Sequence, residues 1–167
     1  KWSNPASNPI SDCSASPNST PSTHYQGVDA FYNGKNHNSN WSSCYIWFEE
    51  FQTQYIPTNA VVSVATMEVF GYYNTTGQGF NIIPSPSNPY TSNTTTWWNN
   101  VWSNTTVYAT VADNNWDLNV LHTLGSNSHA ALTSGTNFTV AYPMTSPTTN
   151  NMIWQAGARQ ELNVDRK

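Results

Sequence analysis

From Gly27 onward the chain is a series of short apolar runs separated by Asn, Gly, Pro and Ser, a spacing that predicts strands joined by turns. Candidate strands are Val28 to Tyr32, Tyr45 to Phe51, Val61 to Tyr73, Phe80 to Ile83, Val107 to Val111, Ala131 to Leu132, Asn137 to Tyr142, Met152 to Ala156 and Gln160 to Val164. The third is the clearest. There Val61, Ser63, Ala65, Met67 and Val69 alternate with Val62, Val64, Thr66, Glu68 and Phe70, so one side faces a core and the other is partly solvated. One stretch breaks the strand rule. Trp116, Val120 and Leu124 recur at i, i+4, i+8, with Asp113 placed to cap and Gly125 to stop a short helical turn. Residues 1–26 are different again, with Pro5, Pro9, Pro17 and Pro21 spread among Ser, Asn and Thr. This segment reads either as an extended tail or stalk, open to O-linked sugar, or as a loop wrapped on the domain and pinned by Cys13. The expected fold is all-β: an antiparallel β-sandwich of jelly-roll type over 27–167, with one short helical turn, preceded by the tail at 1–26.

Composition sharpens this picture. The 167 residues suit one domain, and charged side chains make up only 8% of them, against about a quarter in an ordinary globular chain. Aromatics reach 14%, with eight Trp and nine Tyr, so the chain lacks the low hydrophobicity and high net charge of a disordered one. A net charge of -4 with five basic residues excludes a surface that tracks phosphates, and nucleic acid with it. Asn, Thr and Ser account for 63 of 167 residues, so amides and hydroxyls replace the usual Lys and Glu surface. Six positions fit the acceptor pattern for N-linked sugar: Asn18, Asn40, Asn74, Asn93, Asn104 and Asn137. They mark glycosylation or follow from composition alone.

No run approaches the roughly 18 apolar residues of a membrane span, and the chain opens on Lys1 without a hydrophobic signal region, as a processed or excised product would. Cys13 and Cys44 have neither C-x-x-C nor zinc-ligand spacing, and an even count in this setting predicts a disulfide, within one chain or between two. An extracellular or cell-surface location follows. With nine carboxylates, the fold has little to lose on acidification, which suits a harsh or acidic habitat.

Catalytic chemistry finds little support. Glycoside hydrolysis needs two carboxylates flanking a sugar, and on a regular strand Glu49 and Glu50 point to opposite faces, while Glu68 falls on the outer face of its strand. No G-x-S-x-G elbow is present; Gly125-Ser126 lacks the second glycine. His24, His37, His122 and His129 are scattered without an H-E-x-x-H pair, so no metal site is expected. Asp113, Asn115 and Asp117 have the odd-position oxygens of a calcium loop, but Leu118 stands where the turn needs Gly, and a cap plus turn accounts for them better. No cofactor is expected apart from attached glycans. Trp97, Trp98 and Trp102, with Asn99 beside them, form either a flat platform for stacking sugar rings or core filling.

Five segments line up in order with a known pattern: GVDAFYNG (27–34), YIWFEEFQTQYIPTNAVVSVATMEVFGYY (45–73), WWNNVW (97–102), WDLNVLHTL (116–124) and GTNFTVAY (135–142). Together they resemble the DNRLRE-type, disaggregatase-related β-sandwich modules of archaeal and bacterial surface proteins. The charged hexapeptide that names that family has no counterpart, and Phe48-Glu49 stands where those modules carry Phe-Asp. The resemblance implies an extracellular jelly-roll unit, often repeated or glycan-binding, and no catalytic residues. Composition and layout also resemble the secreted thread-like and pilus-like filament glycoproteins of archaea. The expected function is a non-catalytic surface glycoprotein subunit whose partners are copies of itself or other surface proteins, assembled through strand exchange by its tail or last strand. The alternative is a carbohydrate-binding module of a larger secreted enzyme or adhesin, using the tryptophans.

Overall fold

The computed structural model describes residues 2–5, 10–15, 30–37, 41–69, 71–74, 79–86, 92–112, 120–148, 152–157 and 161–166. Its strands are β1 (Trp2–Pro5), β2 (Ala30–His37), β3 (Trp41–Tyr45), β4 (Trp47–Phe51), β5 (Val62–Val69), β6 (Gly71–Asn74), β7 (Phe80–Pro84), β8 (Ala109–Val111), β9 (Val120–Thr123), β10 (Phe138–Tyr142), β11 (Met152–Gly157) and β12 (Glu161–Arg166). Among the described residues two α-helices interrupt them, α1 (Thr94–Ser103) and the single turn α2 (His129–Leu132), which follows a 3-10 turn at Ser126–Ser128. The class is all-β, and every strand pairing is antiparallel. Among the described residues three sheets form, ordered β1-β3-β2-β11-β6, β4-β10-β7-β8 and β12-β5-β9.

The four-stranded sheet is the centre, and alternation along β10 explains why. Phe138, Val140 and Tyr142 point to one side, where they meet Trp47 of β4, Phe80 and Ile82 of β7, and Ala65 and Met67 of β5 in the main core. Trp47, Phe80 and Tyr142 pack ring to ring, with centroids 4.4 to 5.7 Å apart, and Tyr108 stacks on Phe138 at 5.6 Å. Ala141 points the other way, and there it joins Ile83, Trp97 and Val101, with Phe48 set edge-on to Trp97 at 5.7 Å. So β5 and its neighbours cover one face of the sheet, and α1 covers the second.

Helix α1 forms over the tryptophans read as either a sugar-binding platform or core filling, and Trp97 and Trp98 fill core. Its intrinsic propensity is poor, since Thr, Asn and Trp lead few helices. Caps and burial compensate. Asn93 accepts a hydrogen bond from the Thr96 N–H at 3.1 Å at the N-terminus, and Asn104 closes the C-terminus, its N–H donating to the Val101 carbonyl at 3.3 Å. Trp97, Trp98 and Val101 then form a buried stripe.

Two other expectations change. Val120 to Leu124, read as part of a helical turn, begins as β9 because its amides pair with β5, in the register Thr66↔Thr123 and Val69↔Val120. The upstream part of that turn, from Asp113, lies outside the described residues. Ala131 and Leu132, read as a strand, belong to α2, and Gly135 at φ 78° then turns the chain into β10 in a conformation that a side chain resists. On β5, Ala65 and Met67 face inward as expected, but Val62 rather than Val61 or Ser63 is buried at its start, beside a register shift in the β12 pairing.

Part of the predicted tail is packed. Ile10 and Cys13 are buried against Trp98, Met144 and Cys44, and Cys13 is disulfide-bonded to Cys44 of β3 within the same chain, Cα to Cα 5.7 Å. The loop reading therefore holds for 10–15. Residues 16–29 lie outside the described residues. Cross-linking positions 31 residues apart removes loop-closure entropy from the unfolded chain. Replacing both cysteines by Ala should lower the unfolding free energy by roughly 3 kcal/mol, measured as a shift of the urea midpoint; an unchanged midpoint would show that the 10–15 segment is not clamped.

Candidate functional site

Two regions combine unusual chemistry with defined geometry. The first is the pair of strands that close the sheets at the two ends of the sequence. Strand β1 lies on β3 at the edge of the five-stranded sheet, in the register Trp2↔Cys44 to Pro5↔Trp41. Just downstream the 10–15 segment is fixed from three sides. The Cys13 N–H donates to the Pro147 carbonyl at 3.0 Å, the Trp98 indole donates to the Cys13 carbonyl at 2.9 Å, and the Asp12 carboxylate accepts from the Ser14 N–H and hydroxyl at 2.8 and 2.7 Å. At the other end β12 lines the outer edge of β5, from Glu161↔Glu68 to Arg166↔Val62. Both strands are held by main-chain pairing at a sheet edge, a slot that an extended segment of matching register from elsewhere can also fill.

The second region is a half-buried carboxyl group on the face of β4 that borders the main core. Glu49 sits on β4 between Trp47 and Phe51 and opposite Val140 of β10, so alternation sends it to the apolar face while Glu50 is exposed on the other. The opposed orientation expected for this pair is what the strand shows. The Tyr142 hydroxyl donates to Glu49 Oε2 and also lies 3.3 Å from Met67 Sδ. That hydroxyl has one proton. With Glu49 ionised the proton goes to the carboxylate; with Glu49 protonated, the acid donates to the tyrosine oxygen and frees the tyrosine proton for the sulfur. Burial pushes the Glu49 carboxyl from 4.5 up to about 7, the bond from Tyr142 opposing the rise only in part. Tyr142 is raised well above its usual range by burial, then by the charge of Glu49 and by its bond to that carboxylate. Across the β5–β9 pairing His122 stands opposite Met67; it is buried, its Nε2 has no hydrogen-bond partner, and burial lowers its pKa below 6.5.

A raised carboxyl pKa is the signature of a general acid, but two-carboxylate chemistry needs a second acid facing the first. Glu50 points away, and Glu68 alternates outward on β5. Trp97 and Trp98 are 5% and 1% exposed, and the partly buried Trp102 packs against the core cluster around Cys13. A stacking platform needs open ring faces, and those of Trp97 and Trp98 are buried while Trp102 is partly exposed. Asn99 is half-buried on α1. Of the acceptor asparagines, Asn93 and Asn104 cap α1, and Asn137 precedes β10 with its Nδ2 donating to Glu50 Oε1 at 2.7 Å. Asn74 ends β6. Asn18 and Asn40 lie outside the described residues, as do Asp113, Asn115 and Asp117 of the calcium-loop pattern and His24. Among the described residues no group of three or more His, Cys, Asp or Glu side chains is placed to hold a metal ion, and no helix is long and apolar enough to cross a membrane.

The half-buried acid was within reach of sequence reasoning. Trp47-x-Glu49-x-Phe51 places the carboxyl in line with two aromatics on an alternating strand, which is the signal for burial. Compared with known proteins, the chain matches no family model, and no curated protein matches it in sequence.

The sign of the pH effect follows from the direction of the Glu49 shift. Its folded pKa of about 7 exceeds the ordinary 4.5, so the folded state binds the extra proton and the contribution to stability is fully present below 4.5 and lost as pH rises to about 7. His122 acts in the opposite sense, costing stability as pH falls below 6.5, because it is held neutral. Subtracting a Glu49→Gln variant removes the histidine and every other shared group. Wild type minus variant should become less stable by roughly 3 kcal/mol between pH 4.5 and 7, measured by urea unfolding at a series of pH values; a flat difference would place Glu49 in water.

Proposed function

We propose that this chain is a non-catalytic, extracellular surface glycoprotein subunit that assembles with copies of itself through strand exchange at a sheet edge. The observation that carries the reading is the position of β1 and β12. The first and last strands of this sequence each complete a sheet from its edge by main-chain pairing, β1 on β3 and β12 on β5. A segment held in this way leaves its slot with the backbone pattern intact, and the same segment of a second copy satisfies the same donors and acceptors. When each subunit donates to the next, the contact is head-to-tail and does not close on itself, so it propagates as a fibre.

Composition supports the same reading. A surface wetted by Asn, Thr and Ser instead of Lys and Glu loses little when carboxylates are protonated, and the half-buried acid at Glu49 favours the folded state in mild acid. The disulfide strengthens each subunit from within, which leaves strand pairing as the link between subunits. The sugar-binding alternative has less support, because Trp97 and Trp98, two of the three tryptophans that would carry it, are buried.

Negative-stain microscopy and size-exclusion chromatography of native material test the assembly. The expected result is filaments or open-ended oligomers that run as monomers on a non-reducing denaturing gel. A chain shortened to begin at Ile10, which retains the disulfide, should lose most of the assembly if β1 is the exchanged strand, and one ending at Gly157 should lose it if β12 is. A native protein that stays monomeric at all concentrations would overturn the proposal.

A further inference from the structure

Three acceptor asparagines with described side chains present their amide nitrogens differently, and the glycosidic bond of N-linked sugar forms at that nitrogen. At Asn93 the side-chain oxygen is occupied as the cap of α1, accepting from the Thr96 N–H at 3.1 Å, while Nδ2 takes no part in the cap and the residue is exposed. Capping needs only the oxygen, so a sugar on Nδ2 leaves the cap intact. At Asn104 both ends are committed: Nδ2 donates to the Pro84 carbonyl at 3.1 Å, tying the end of α1 to β7, and Oδ1 accepts from the Thr106 N–H at 2.9 Å. At Asn137 the restriction is stronger. Its Nδ2 donates to the Glu50 carboxylate at 2.7 Å and its Oδ1 is buried. The rest of that acceptor triplet lies within β10, with Phe138 in the main core and Thr139 paired to Glu50 of β4.

We infer that the fold selects among its own acceptor sites, with Asn93 carrying N-linked sugar and Asn104 and Asn137 remaining bare as structural amides. The inference rests on the extracellular glycoprotein reading and adds to it which residues are modified. It holds whichever comes first, folding or transfer. A folded chain offers a transferase no access to a triplet inside the central strand, and a chain modified at Asn137 before folding keeps one N–H for Glu50 but must bring a sugar to the edge of the core, beside an Oδ1 that is buried. Asn93 meets neither obstacle.

Site-resolved glycopeptide mass spectrometry of the native protein provides the test. The peptide containing Asn93 should carry glycan, and those containing Asn104 and Asn137 should have unmodified mass. A Thr95→Val variant destroys the acceptor triplet but leaves the Asn93 cap, so its intact mass should fall by one glycan with little change in unfolding midpoint. Asn93→Ala should lose the same glycan and also lower the midpoint. Sugar on Asn104 or Asn137, or a bare Asn93 in a protein glycosylated at Asn18, Asn40 or Asn74, would overturn the selection while leaving the glycoprotein reading in place. A native protein without sugar at any of the six sites would overturn both.

Discussion

The described core is arranged around a five-residue strand, β10, with both faces covered. Most antiparallel sheets keep one face in water, and their sequences alternate accordingly. Strand β10 instead sends Phe138, Val140 and Tyr142 into an aromatic core and Ala141 against a helix. Its amides and carbonyls are taken up by β4 on one side and β7 on the other. A buried strand of this kind is costly to perturb, because truncating one of its large side chains removes contacts on a fully packed face, at about 3–5 kcal/mol for a phenylalanine. Around that centre, pairing becomes progressively more peripheral, ending at the edge strands β1 and β12.

The second constraint is how a chain with so little charge satisfies its polar groups. Amide and hydroxyl side chains do so locally. Asn93 and Asn104 close the two ends of α1, Asn127 donates to the Val107 carbonyl, and Thr53 donates to the Thr136 carbonyl. These residues are abundant because short strands and short helices have many ends, and each end leaves N–H or C=O groups to be met. The same asparagines read as sugar acceptors in the sequence. At Asn93 the side-chain oxygen makes the cap, whereas at Asn104 the backbone N–H closes the helix and the side-chain nitrogen ties its end to β7.

Much of the strand pattern was legible. Segments around β5, β7 and β10 announce themselves by alternation or by an apolar run between turn residues, and the bounds fall within a few positions. What was not legible has physical reasons. The α1 sequence is dominated by weak helix formers, and its signal lies in the spacing of Trp97, Trp98, Val101 and Trp102 with Asn93 in front, a stripe that a search for sugar platforms reads as a flat surface. The short β9 shows the converse: Val120 and Leu124 have helical spacing, yet β5 offers unpaired backbone beside them and the ladder prevails. Covering of the sheet's second face by α1 could not be read from any single segment, because it depends on which elements meet. The burial of Glu49 was legible in outline from its aromatic neighbours, but its bond to Tyr142, 93 residues away in sequence, was not.

Native-state hydrogen exchange tests the account of the fold most directly. The amides of β10 and the buried turn of α1 at 97–101 should open only with global unfolding, while β1 and β12 exchange at markedly lower cost, as strands that can be exchanged must. An α1 that exchanges like a free peptide, or terminal strands as protected as β10, would contradict it.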